Sequence, residues 1–309
     1  MRFFALSTLL FLLFNLASFT STAQVTTNTQ LLKQASIQQG EKEKKEYEQL
    51  KKLAREKGWK LVINGKNGYK SILAGIDSLG MPLYLSTNNN ILAAATIGTN
   101  RLWPGGSTGL NLDGSSDNVK GKLAIWDGGN ILSTHVELTG RILQKDNDVV
   151  SEHSTHVAGT LMASGVNPLA KGMSFGLKQL VAYNFTGDLS EMMGEAPNLL
   201  LSNHSYGYNA GWVFNEEENR WEFWGRQGAN EDFKFGYYSA ETQIWDSIAY
   251  NAPLYLIVKS AGNSRDVNGP AVGQPYFRFN ASNVMASAGN RPAGISNNDG
   301  YDILSTTST

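Results

Sequence analysis

The chain has 309 residues, 41% hydrophobic and 17% charged, with 26 Lys and Arg against 27 Asp and Glu for a formal net charge of −1. That composition belongs to an ordinary globular protein and carries no basic excess to neutralise a phosphate backbone, so nucleic acid is not an expected partner. There is no cysteine, which excludes disulfides, thiolate zinc sites and cysteine nucleophiles together.

In chain order, MRFFALSTLLFLLFNLASFTSTAQ combines a cationic start at Arg2, an apolar run and a small-x-small pair at Ser21 and Ala23. This pattern predicts a secretory leader, residues 1–23, and a secreted or extracytoplasmic protein with no membrane span once the leader is cut. The alternative is an uncleaved anchor, but the run is shorter than the ~20 residues that cross a bilayer comfortably. Residues 30–57 place Leu50, Leu53 and Ala54 on one side of a helix otherwise rich in Lys and Glu. Short apolar runs broken by NGKNG and SLG predict a β-meander over 59–87, and the Asn, Gly and Ser of 88–118 predict an irregular lead-in or linker. Residues 24–115 thus form a small α+β segment. It is either a pro-segment that assists folding or blocks a groove, or a spacer.

Beyond residue 120 the texture alternates. KLAIWD, GLKQLVAYNF, NLLLSNHS and LYLIVKSA read as strands, and THVAGTLMAS, LSEMMGEAP and ETQIWDSIAYNA as helices. Such alternation predicts an α/β fold with a doubly wound, mainly parallel sheet covered on both faces, where chemistry gathers at the carboxyl ends of strands. Asp127 closes one strand and Asn263 follows another. Residues 207–241, dense in Trp, Phe, Tyr and carboxylates, interrupt the pattern either as the rim of a site or as a self-packed excursion.

Three motifs carry chemistry: IWDGG at 125–129, HSTHVAGT at 153–160 and SAGNS at 260–264. The positive end of a helix dipole favours a neutral imidazole, so His153, at a helix start, suits a general base. Asp127 at a strand end can accept the other ring N–H and fix the tautomer. Asn263 offers a neutral donor for the oxygen that turns negative when a peptide carbonyl goes tetrahedral. Small Ala158 and Gly159 let the helix sit close to the sheet.

In order and context these motifs resemble the subtilisin-like serine proteases, whose pattern runs strand-Asp-x-Gly, His-Gly-Thr-His-Val-Ala-Gly-Thr and Ala-Gly-Asn. Ser154 departs from it, standing where that family usually has glycine. NHSYG at 203–207 resembles the family's Asn-x-Ser-x-Gly strand end. The resemblance covers residues 118–266 and implies a subtilisin-like peptidase domain over 116–309, an endopeptidase with Asp127, His153 and Asn263 as catalytic residues. It further implies that Ser205, Tyr206, Gly207, Ala261 and Gly262 line the groove for an extended polypeptide substrate. Tyr206 stands where a smaller aliphatic residue is common in the family.

The family's nucleophile motif, Gly-Thr-Ser-Met-Ala, does not occur. Ser107 precedes Asp127, and Ser305 and Ser308 lack both the glycine before and a helix after. The expectation is a truncated domain, its sheet incomplete at the C-terminus and inactive as it stands. The alternative is an inactive relative that binds extended peptides in the groove. His156 lies three residues after His153, and Glu152 or Glu137 can be drawn into a metal set with them, but no third ligand falls at a recognisable spacing and no metal site is expected. His135 and His204 read as structural or groove-lining. Calcium often steadies proteases that resemble this chain, but DNDVV at 146–150 is merely acidic and loop-like; no other cofactor is expected.

Overall fold

The computed structural model describes residues 26–64, 70–77, 79–87, 97–264 and 267–298. The expected leader, most of the NGKNG turn, part of the lead-in, Ser305 and Ser308 lie outside them. The N-terminal segment holds α1 (Thr29–Lys57), β1 (Val62–Asn64), β2 (Lys70–Ile76) and β3 (Pro82–Thr87). Asn28 caps α1 by accepting from the Leu31 N–H at 3.2 Å, and Gly58 ends it at φ +70°, a left-handed conformation that suits glycine. Along this helix the ion pairs Lys42–Glu46 and Lys51–Glu48 are largely exposed and are worth about 0.3–0.5 kcal/mol each. Burial of Leu32 at one end and Leu50 at the other contributes about 1.5–3 kcal/mol apiece, so these anchors, rather than the charges, fix where α1 lies.

The rest of the chain runs through β4 (Leu123–Asp127), β5 (Ile142–Gln144), α2 (Glu152–Met162), β6 (Leu180–Asn184), α3 (Asp188–Glu195), β7 (Leu201–His204) and β8 (Tyr206–Tyr208). It continues through β9 (Trp212–Asn215), β10 (Arg220–Phe223), α4 (Ala240–Asn251), β11 (Leu256–Lys259), β12 (Pro275–Phe279) and β13 (Met285–Asn290). The chain is α/β, with a five-stranded sheet in the order β11-β7-β4-β6-β5, every neighbouring pair parallel. β4 and β6 are buried at every position, which is why they read as unbroken apolar runs.

The two faces of this sheet differ. On one, Ala124, Trp126, Val181 and Tyr183 pack with residues of α3 and α4, and Leu32 of α1 joins the same core. On the other, Leu123, Ile125, Leu180 and Ala182 pack under Val157, Ala158 and Met162 of α2. The expected cover on both faces fails toward β11: on the α2 side Leu201, Leu256 and Val258 are exposed, because α2 reaches across only β4 and its neighbours on the β6 side.

Two further sheets flank the centre. β1, β2 and β3 form the expected meander, and β3 also pairs antiparallel with β8, Leu85 opposite Tyr208, Ser86 opposite Gly207 and Thr87 opposite Tyr206. The aromatic interruption supplies β9 and β10, which join β12 and β13 in a four-stranded sheet around Trp212, Phe223, Tyr276 and Ile295. That sheet meets the N-terminal segment through Trp224 and Phe279, which pack with Leu50, Ala54, Leu73 and Tyr84. The described lead-in after residue 97 is irregular yet fastened: Trp103 donates to the Met173 carbonyl at 2.8 Å, and the Lys171 ammonium lies 4.6 Å from the Phe175 ring centre.

Candidate functional site

Ser151 caps α2, its hydroxyl accepting from the Ser154 N–H at 3.2 Å, so the helix begins at Glu152 and carries both His153 and His156. Residue 153 then faces the end of β4. His153 Nδ1 lies 2.8 and 3.0 Å from the two carboxylate oxygens of Asp127, and both side chains are about 2% exposed or less. A carboxylate only accepts, so Nδ1 carries the proton, and Nε2 is the accepting nitrogen of the neutral ring. Asp127 Oδ1 is further bonded by the Gly128 N–H at 2.7 Å and by the Ser154 hydroxyl at 2.9 Å. Ser154 is wholly buried. In the sequence this serine stands out only as a departure from glycine; its hydroxyl becomes legible once the helix start is known to lie at Glu152.

Small residues hold α2 against the sheet, though not both of those expected. Ala158 is fully buried, whereas a methyl at Gly159 would meet nothing within 4 Å. A separate close approach, of the loop after α2 to that helix's last turn, lies at Gly172, where a methyl would come within 2.7 Å of the Gly159 carbonyl oxygen.

The strand register aligns the other candidates. Trp126 opposes His204 and His204 opposes Lys259, so Asp127, Ser205 and Ser260 leave the sheet side by side. β11 lies two strand spacings from β4, about 10 Å. Beyond it Ala261 and Gly262 are half-buried, with Gly262 at φ +84°, and Asn263 is exposed at the same end of the sheet. Ser205 accepts from Asn203 Nδ2 at 2.9 Å. Gly207 and the backbone of Tyr206 form the edge that β3 occupies, and the Tyr206 ring turns inward.

Behind that edge runs a directional chain of hydrogen bonds. Tyr255 donates to Ser202 at 2.5 Å, Ser202 to His204 Nε2 at 2.7 Å, His204 Nδ1 to the Tyr206 phenol at 2.8 Å, and Tyr206 to Asp188 at 2.6 Å. His204 is fully buried and stacks on Trp126, which stacks in turn on Tyr183, a ladder across three strands. Burial holds its pKa well below the ordinary histidine value, so the ring stays neutral. Burial also pushes Asp188 up to about 7 and Lys259 down to about 8. The Lys259 ammonium donates to the Tyr206 carbonyl and lies 4.7 Å from that ring's centre.

The groups considered for metal chemistry do not gather. His156 and Glu152 are exposed on α2, and His135 is exposed with Nδ1 accepting from the Glu137 N–H at 3.3 Å. Glu137 is instead a loop anchor, its carboxylate accepting from the N–H groups of Asn167, Gly165 and Val166 and from the Ser164 hydroxyl. In the DNDVV stretch Asp146 and Asp148 accept from the backbone and side-chain amides of Asn184, tying this loop to the end of β6. On the α1 side of the central sheet, away from Asp127 and His153, a cleft of about 900 Å³ opens between α1 and α3, with Glu43, Asp188 and Glu191 above Leu50, Ile72 and Phe185. No helix among the described residues is long and apolar enough to cross a membrane. Comparison with protein-family models, curated proteins and solved structures returned no match.

Proposed function

We propose that the chain is part of a secreted subtilisin-like serine endopeptidase, with His153 as general base, Asp127 holding its ring and Asn263 as oxyanion donor. The observation that carries this reading is the buried Asp127–His153 pair at the carboxyl end of a parallel sheet, the ring's proton fixed on Nδ1. A serine hydroxyl presented to Nε2 gives up its proton as it attacks a peptide carbonyl. The resulting imidazolium is stabilised by Asp127, and the tetrahedral oxygen by the Asn263 amide.

The strand order supports a doubly wound sheet: from β4 the chain builds β5 and β6 on one side and β7 and β11 on the other, which puts a topological switch point beside Asp127. Exposed Leu201, Leu256 and Val258 support a sheet on which further chain packs. The pairing of β3 with β8 favours a groove-blocking pro-segment over a spacer, since Leu85 to Thr87 run along Tyr206 to Tyr208 as an extended peptide would.

The motif for the attacking serine does not occur within residues 1–309, so the test uses the product of the whole reading frame. Hydrolysis of casein and fluorogenic peptides is compared between that product and its His153→Ala form. The expected loss in kcat/KM is about 10²–10⁴-fold. Equal hydrolysis by both overturns the reading, whereas peptide binding without turnover in either supports the inactive peptide-binding relative.

A further inference from the structure

Three donors converge on Asp127 Oδ1, the Gly128 N–H, the His153 ring N–H and the Ser154 hydroxyl, and the same ring N–H also reaches Oδ2 at 3.0 Å. Two of the three are general to the arrangement, a backbone N–H and the imidazole. The third, the Ser154 hydroxyl, is a side-chain choice, made by a residue with no exposed surface. Its position is fixed from two directions, by its place in the first turn of α2 and by the Ser151 cap on its own N–H.

We propose that Ser154 is a positioning residue that sets the basicity of His153 through Asp127. A hydroxyl donor draws negative charge toward Oδ1 and lessens the field the carboxylate exerts on an imidazolium. It therefore orients the Asp127 carboxylate while holding His153 less basic than a bare carboxylate would. Alanine or glycine at this buried position carries no side-chain donor to take the hydroxyl's place. The effect on a proteolytic rate rests on the function proposed above, where the acid limb of the pH profile follows His153. The effect on the imidazole does not rest on it.

The test is a proton and nitrogen NMR titration of His153 in the 309-residue chain, with Asp127→Asn used to assign the resonance. Ser154→Ala and Ser154→Gly are each expected to raise the His153 pKa by about 0.5–1 unit and to move the Nδ1–H resonance downfield. Ser154→Thr, which keeps the hydroxyl, returns both toward the wild-type values. In the wild type the Ser154 hydroxyl proton itself is expected to exchange slowly and to show a cross-peak to the His153 Nδ1–H, a measurement that needs no variant. An unchanged His153 titration in the alanine and glycine forms overturns the proposal, as does a Ser154 hydroxyl proton in rapid exchange. Absence of a downfield Nδ1–H in the wild type removes the Asp127–His153 pair itself, and with it the proteolytic reading, a failure separate from that of Ser154.

Discussion

At Glu137, four donors converge on one carboxylate, and they push its pKa down to about 2, the Asn167 N–H contributing most. An unfolded glutamate titrates near ~4.3, so the folded state binds this proton more weakly. The stability that follows is fully present above that unfolded value and is lost as pH falls toward 2. Glu137→Gln keeps the shape and removes the titration. We expect its melting temperature to lie below that of the wild type at pH 6 and the gap to have shrunk to a minor part of that value by pH 2.5; a gap that is constant across this range would show that the charge is not what holds the loop. At this scale the Asp127–His153 pair was legible, because a strand end and a helix start each announce themselves locally. The role of Glu137 was not: its partners lie about 30 residues away, in a loop whose path no local pattern dictates.

Among the elements, the strands and helices after residue 120 were legible from their apolar texture, with ends displaced by a few residues where caps such as Ser151 and Ser239 decide the start. What stayed hidden was pairing across long separations. The aromatic stretch joins strands some 60 residues further on, and β3 crosses to β8 over about 120 residues. Side-chain period records which face is buried but not which strand lies beside it. The β3–β8 edge can be tested through its hydrogen bonds. Asn209 N–H donates to the Tyr84 carbonyl at 3.0 Å, and by the alternation of an antiparallel ladder Ser86 and Gly207 form the next bonded pair. Ser86→Pro deletes that donor. Amide hydrogen exchange at Gly207 and Asn209 is expected to rise about tenfold or more, equivalent to ~1.4 kcal/mol of local opening, while the amides of β4 and β6 keep their protection. Unchanged exchange at Gly207 would mean that β3 is not what protects this edge.

For the molecule as a whole, the question is how the N-terminal segment stays seated on the α/β body. Ser36 of α1 donates to the Ser190 carbonyl at 2.7 Å, and Leu32 enters the central core, but the same contact brings carboxylates together. Asp188 and Glu191 on α3 face Glu43 of α1 and Asp146 of the loop after β5; against them stand the Tyr206 phenol, the Trp126 indole N–H and the ammonium of half-buried Lys259. Burial above all, then these like charges, raises Asp188 to about 7 and Glu191 to about 8. Both values lie above those of an unfolded chain, so the folded state binds these protons more tightly. The sign is therefore opposite to that of Glu137: stability is greatest where the groups are protonated in the fold and falls as pH rises from about 4 through 8. The seating of α1 is expected to be firmer at pH 5.5 than at pH 9, with the wild-type melting temperature dropping between them and amide exchange in α1 rising first. Asp188→Asn with Glu191→Gln should flatten that dependence, since both replacements stay neutral throughout. A double variant that loses stability between pH 5.5 and 9 as steeply as the wild type would place the pH sensitivity elsewhere than at the α1–α3 contact.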